Sequence, residues 1–282
     1  MSRSIALPSL SPDGHAGQRI GNNELICRLA TGGMAEIFLA VRRGEAGFRK
    51  LVVVKRILPQ VAQQEDLVAR LLEEGKLMAG FSHPAIAQVF DLGRDGEDYF
   101  IVMEYVPGVT LRHLMRAAAE AGERLPTGFI VAVGKAVAEA LHHAHGHSII
   151  HRDVAPKNLM VSFAGDPKLL DFGVAKGVTP FTRVGMVVGT PSYMSPEQVS
   201  GQGLDGRSDE FSLGATLHAC LTGKDLFGAD NVAAELEAVM RRAVPSTSVA
   251  NPEVNVALDD VILRALARPR EERFPTARDF AR

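Results

Sequence analysis

The hydrophobic pattern of the chain changes period once, close to Val106, and that single change constrains the fold more than any other feature. Between Arg19 and Tyr105 the apolar runs are short and β-branched: "ELICRLA", "AEIFLAV", "KLVVVKRIL", "IAQVFDLG" and "YFIVMEY", set apart by Gly, charged or helical stretches. Runs of this kind read as the strands of a small antiparallel sheet. After about Val106 the spacing becomes helical: "GFIVAVGKAVAEALHHAH" puts Ile130, Val133, Val137, Leu141 and Ala144 on one face, and "DEFSLGATLHACL", "NVAAELEAVMRRA" and "LDDVILRALAR" continue the series. The expected architecture is α+β. A flexible segment, 1–18, rich in Ser, Pro and Gly, precedes a β-rich part, 19–105, with one main helix, and a larger, mostly helical part, 106–282.

Composition narrows the function classes. The 282 residues are 46% hydrophobic and 23% charged with a net charge of -2, an ordinary globular balance that predicts no preference for nucleic acid or a membrane surface. Cys27 and Cys220 lie far apart and outside any CxxC spacing, so neither a disulfide framework nor a zinc site is indicated, and a reducing cytoplasm fits. No apolar run reaches the length of a membrane span, and the N terminus lacks the blocks of a signal peptide.

Three stretches near the change of period carry chemistry. In "LATGGMAEIFLA" a turn with Gly32 and Gly33 joins two expected strands, and backbone N–H groups there can approach phosphate oxygens because no Cβ intervenes. In "EDLVARLLEEGKLMAG" Leu67, Leu71, Glu74 and Met78 share a helix face, so Glu74 rides on an apolar stripe and needs a cationic partner. Lys55, closing the apolar strand "LVVVK", answers that need. Finally "HRDVAPKN", His151 to Asn158, is followed by "DFG" at Asp171 to Gly173. Asp153, Asn158 and Asp171 are acceptors suited to a proton and to hard cations such as magnesium.

This ordered series resembles the eukaryotic-type protein kinase family, and within it the bacterial Hanks-type serine/threonine kinases, from about residue 20 to the C terminus. The resemblance implies a bilobal kinase fold, ATP and Mg2+, and transfer of the γ-phosphoryl group to Ser or Thr hydroxyls of protein substrates. It implies that Lys55 holds the α- and β-phosphates while paired to Glu74, that Asp153 accepts or orients the substrate hydroxyl, and that Asn158 and Asp171 ligate magnesium. Leu29, Ala30, Gly32, Gly33, Ile37, Val53 and Met160 would line the nucleotide site, with Met103 as gatekeeper and Glu104 and Val106 in the hinge that bonds adenine. "GTPSYMSPE" matches the end of the activation segment, and Asp209 and Arg273 match structural anchors, Arg273 being expected to pair with Glu197.

Three departures bear on activity. Ala30 and Ala35 stand where the family often has glycine, and Val53 where many members have alanine over the adenine ring. Ser/Thr members usually carry lysine two residues after the catalytic aspartate; here that residue is Ala155, while Lys157 occupies the place where tyrosine-specific members carry an arginine. The charge is relocated, not lost, and Thr190 in "GTPSY" keeps the Ser/Thr pattern. Thr182, with Thr179 beside it, is expected to be an autophosphorylation site whose phosphate pairs with Arg152 and with Lys176 or Arg183. His142, His143, His145 and His147 could be drawn as a metal cluster but sit at a helix end without a matching ligand set. The alternative to an active enzyme is a nucleotide-binding pseudokinase acting as a scaffold.

Overall fold

The computed structural model describes residues 14–33, 35–63, 68–69, 73, 75–76, 78–80, 82–172 and 189–282. They form two compact units, one running up to His83 and including Ala87–Val106, the other made of Pro84–Ile86 and Pro107–Arg282.

The first unit is built on a six-stranded antiparallel sheet. Its strands are β1 (Arg19–Ile20), β2 (Asn23–Thr31), β3 (Ala35–Arg43), β4 (Arg49–Ile57), β5 (Val89–Asp95) and β6 (Asp98–Glu104), in the order β1-β2-β3-β4-β6-β5. A short helix α1 (Pro59–Ala62) follows β4, and Val68, Ala69, Glu73, Gly75, Lys76, Met78 and Ala79 are helical. Because strand side chains alternate between faces, register decides what shares a surface. Phe38, Ala40, Val52, Val54 and Val102 gather with Ile20, Leu25 and Phe100 into one apolar cluster. Five of them, Phe38, Ala40, Val52, Val54 and Val102, have no exposed surface, and each valine or phenylalanine so buried contributes about 1.5–3 kcal/mol. The pairs Ile37↔Lys55, Val53↔Met103 and Lys55↔Ile101 put the opposite set on the other face. Gly93 is required on β5, since a Cβ there would lie 2.6 Å from the ring of Phe100.

Order begins ahead of Arg19. Gly17 donates to the Leu25 carbonyl at 2.9 Å, Leu25 donates back to the Gln18 carbonyl at 2.8 Å, and the His15 ring meets Phe38 edge-on at 5.2 Å. A Ser, Pro and Gly-rich composition carries no sign of this pairing because the partners lie outside the segment, on β2 and β3.

The second unit holds helices α2 (Leu111–Glu120), α3 (Thr127–Gly146), α4 (Pro196–Val199), α5 (Arg207–Thr222), α6 (Val232–Arg241), α7 (Thr247–Ala250), α8 (Val256–Ala265) and α9 (Ala277–Ala281). The expected apolar face of α3 is buried at every one of its five positions. Its Gly134 allows Leu217 of α5 to approach, a Cβ there falling 2.9 Å from the leucine. Helix α5 is buried from Ser208 to Leu221 and forms the centre of the unit. No helix among the described residues is long and apolar enough to cross a membrane.

The region after Val106 is mostly helical, as expected, and it also carries three short strands. Strands β7 (Gly108–Thr110), β8 (Leu159–Ser162) and β9 (Pro167–Leu169) form a three-stranded antiparallel sheet. Strands of three or four residues are too short to display a period of two. Gly108 was the available sign, since a Cβ at that position would lie 2.2 Å from the Val161 carbonyl oxygen.

Candidate active site

The loop His151 to Asn158 hangs from one carboxylate. Asp209, at the start of α5, accepts the backbone N–H groups of His151 and Arg152, each at 2.8 Å, and the Nε2 hydrogen of His145 at 2.8 Å. Burial alone would push the Asp209 carboxyl up, but the bond and charge of His145 and the donation from His151 outweigh it and hold it below the usual range. Gly206 leaves room for His145, since any Cβ there would sit 2.4 Å from Nδ1 of that ring. Two further bonds fix the loop: Gln198 Nε2 to the Arg152 carbonyl at 3.0 Å, and Thr216 Oγ1 to the Val154 carbonyl at 3.2 Å. Thus over-determined, the loop holds Arg152 in the left-handed region at φ 65, a conformation costly for a non-glycine residue.

What the loop presents is Asp153. Its side chain is nearly buried at 8% exposure. Oδ1 accepts from the Thr190 hydroxyl at 2.9 Å, Oδ2 accepts from Asn158 Nδ2 at 2.7 Å, and Lys157 Nζ stands 3.5 Å from Oδ2. Asn158 Nδ2 also donates to the Asp153 carbonyl at 2.8 Å, so the amide is oriented by two bonds and its Oδ1, which accepts none among the described residues, is left as a candidate ligand. Ala155, by contrast, is fully buried against the loop, and the cation beside Asp153 is Lys157.

Asp171 is carried to the same place by a second set of contacts. His151 accepts the Asp153 N–H at Nδ1, 3.2 Å, which leaves Nε2 to donate to the Leu170 carbonyl at 2.8 Å, and Leu170 donates to the Asn158 carbonyl at 2.8 Å. The Phe172 ring packs on His151 at 4.6 Å. Between Leu170 and Phe172, Asp171 adopts φ 50, the second left-handed non-glycine residue of the site. A carboxylate and a free amide oxygen so placed fit a hard divalent cation, which takes oxygen donors.

The nucleotide-side candidates lie in the first unit. Ile37, Val53, Lys55 and Met103 share one face of the sheet by register, and Ala30 pairs with Ile37. Gly32 donates to the Ala35 carbonyl at 2.8 Å, closing the turn that carries Gly33, and Leu29 on β2 is 39% exposed. Glu104 ends β6, with its N–H on the Gln88 carbonyl at 2.8 Å and its carboxylate accepting from Gln88 N at 3.1 Å. Val106 is buried. Met160 stands on β8 of the second unit. Glu74, Thr179 and Thr182 lie outside the described residues, as do Lys176 and Arg183.

The expected Arg273–Glu197 pair is present and complete. Nη1 and Nη2 reach the two carboxylate oxygens at 2.7 and 2.9 Å, and the other three N–H groups go to the carbonyls of Ala267, Arg207 and Arg268, so a fully buried guanidinium has all five donors used. Burial pushes the Glu197 carboxyl up; Arg273 and the Ser208 hydroxyl outweigh that and leave it low.

Sequence reasoning missed three participants. Thr190, which marks acceptor preference in the sequence, is also a partner of Asp153. His145 seats on Asp209 beside Gly206, a proximity invisible in one dimension. Asp225, which accepts the Tyr193 hydroxyl at 2.7 Å and both Arg112 bonds at 2.9 and 3.0 Å, carried no signal at all.

Comparison with known proteins places these observations. Residues 24–280 match the family model of the protein kinase domain. The chain is 36% identical to the tyrosine-protein kinase MasK of Myxococcus xanthus, over 94% of this chain and 42% of the relative. It is likewise 36% identical to the serine/threonine-protein kinase Pkn1 of Myxococcus xanthus, over 94% and 38%, and to the serine/threonine-protein kinase PknB of Mycobacterium tuberculosis, over 89% and 40%. The chain thus spans about two fifths of the length of these curated relatives. Among solved structures the Mycobacterium tuberculosis PknI kinase domain superposes with a TM-score of 0.75 at 28% identity, covering 94% of this chain and 96% of that one. On the family match, the shared fold and these relatives, the chain belongs to the protein kinase family.

Proposed function

We propose that the chain is the catalytic domain of an ATP- and magnesium-dependent kinase that phosphorylates serine or threonine in other proteins. The observation that carries this reading is Asp153, held by Thr190 and Asn158 with Lys157 3.5 Å away. In the transfer, the acceptor oxygen forms a bond to the γ-phosphorus as the bond from that phosphorus to the β,γ-bridging oxygen breaks; ADP leaves and the hydroxyl proton passes to Asp153. The charge of Lys157 is assigned to the negative charge that develops during transfer. Asn158 Oδ1 and Asp171 would hold the cation, which neutralises phosphate charge when bound. Lys55, on the sheet face it shares with Val53 and Met103, is assigned to the α- and β-phosphates, and Glu74 to the pairing of that lysine.

Serine/threonine preference rests on Thr190 and on the names of two relatives, against one named as a tyrosine kinase. The cytoplasm is the assigned compartment, in keeping with Cys27 and Cys220, both buried thiols outside any disulfide. The division into a segment 1–18 and lobes 19–105 and 106–282 is retained as the domain assignment. Incubation with labelled ATP, magnesium and a general protein acceptor, followed by phosphoamino-acid analysis, tests the reading. Label on serine or threonine that is lost in Asp153→Asn is expected. Label on tyrosine alone would reverse the acceptor assignment, and equal label in the two proteins would leave only a nucleotide-binding scaffold.

A further inference from the structure

A second feature of the C-terminal unit lies beside the proposed transfer centre and is used by none of its chemistry. A depression of about 550 Å³ opens between α2 and the end of α5, lined among others by Arg112, His113, Arg116, Lys224 and Asp225. Asp225 is the one carboxylate among the lining residues, and it is saturated: both its oxygens accept from Arg112, and Oδ1 also accepts from Tyr193. Among the described residues Arg116 has only an exposed contact with Glu120 at 3.5 Å, a kind of pair worth little, and the Lys224 ammonium has no carboxylate within ion-pair distance. The pocket is therefore a positive surface whose one anion is already neutralised.

Its position ties it to acceptor binding. Thr190 touches Asp153 and Tyr193 touches Asp225, and only Pro191 and Ser192 separate them. At most about 10 Å of chain parts the two contacts. An extended polypeptide advances about 3.3 Å per residue, so one with its hydroxyl at Asp153 reaches the pocket within about six residues. We propose that this pocket is a subsite for a carboxylate side chain of the acceptor polypeptide, with Arg116 and Lys224 as its specificity-determining cations and Arg112, fixed by Asp225, as its floor. The inference rests on the kinase reading above.

Serine peptides in which glutamate is scanned over the six positions on either side of the acceptor, each paired with its glutamine counterpart, test it. At one or two positions the glutamate peptide is expected to have a KM roughly three- to tenfold lower, with kcat little changed, because rim charges act on encounter and binding. The double variant Arg116→Ala, Lys224→Ala should bring that ratio close to one, and Lys224→Glu should turn the preference toward a lysine peptide at the same position. Transfer that shows no glutamate preference anywhere, or a preference that survives the double variant, overturns the inference while leaving the kinase reading intact. Transfer to no peptide and no protein would overturn both.

Discussion

The Thr190 hydroxyl donates to Oδ1 of Asp153 at 2.9 Å, and this bond joins the "GTPSY" segment to the group assigned to take the acceptor proton. Asn158 and Lys157 address the other carboxylate oxygen, so Thr190 is what sets the rotation of the carboxylate toward an incoming hydroxyl. Thr190→Ala should lower kcat on the order of tenfold or more through misalignment, with the KM for ATP nearly constant, and Thr190→Ser should restore most of it. Steady-state kinetics of the two variants decide the point. Equal loss in both would show that the methyl group, not the hydroxyl, matters.

Lys157 is half exposed at 49% yet lies 3.5 Å from a nearly buried carboxylate, so it is free to follow a moving charge. If its role is to stabilise the transferring phosphoryl group, Lys157→Ala should cut kcat on the order of a hundredfold while nucleotide affinity changes little. Calorimetric titration with a non-hydrolysable nucleotide, set beside turnover, separates the two effects. A variant that loses affinity and turnover in equal proportion would place Lys157 in ground-state binding instead. Ala155→Lys is not expected to compensate, since Ala155 has no exposed surface and a lysine there must displace packed neighbours.

How much of this was legible in one dimension follows from which contacts are local. The α3 face, the strand runs and the Asp153, Asn158 and Asp171 series are set by spacing within a single element or loop, and the sequence displays spacing directly. The Arg273–Glu197 pair was reached only through family resemblance, because nothing in either residue's neighbourhood indicates a partner so distant in the chain. The seating of His145 on Asp209 and the Arg112–Asp225–Tyr193 cluster were illegible for the same reason, each joining residues far apart in the chain, while the strands of the β7–β9 sheet are too short to display a period.

Thr182 and Thr179 fall between "DFG" and "SPE", and the cation assigned to a phosphate there is Arg152, whose backbone is locked by Asp209 and Gln198. A phosphate charge near -2 paired with Arg152 would couple modification to the loop that carries Asp153. Purified protein is expected to carry phosphate at Thr182, and the Asp153→Asn protein none. Thr182→Ala should lower transfer to a separate protein with ATP binding nearly unchanged. Mass spectrometry reads the first outcome, and phosphate on Thr182 of the inactive protein would mean that another enzyme places it.

Glu210 follows Asp209 on α5 and is the opposite kind of acid. It is 1% exposed, and neither carboxylate oxygen has a hydrogen-bond partner among the described residues. Burial pushes it from an ordinary 4.5 up to about 8; Arg273 and Arg207 pull against this, and Asp205 and Asp209 add to it. Because the folded value lies above the unfolded one, the folded protein holds a proton that the unfolded chain releases. The associated stability is fully present below about pH 4.5 and is lost as pH rises through about 8. Glu210→Gln keeps the shape and cannot ionise, so it should match the parent near pH 5 and exceed it by a few kcal/mol near pH 8.5. Urea unfolding of both proteins at the two pH values provides the check. A stability difference that is the same at both would mean that Glu210 is not held neutral in the fold, and that a partner or solvent route compensates its charge.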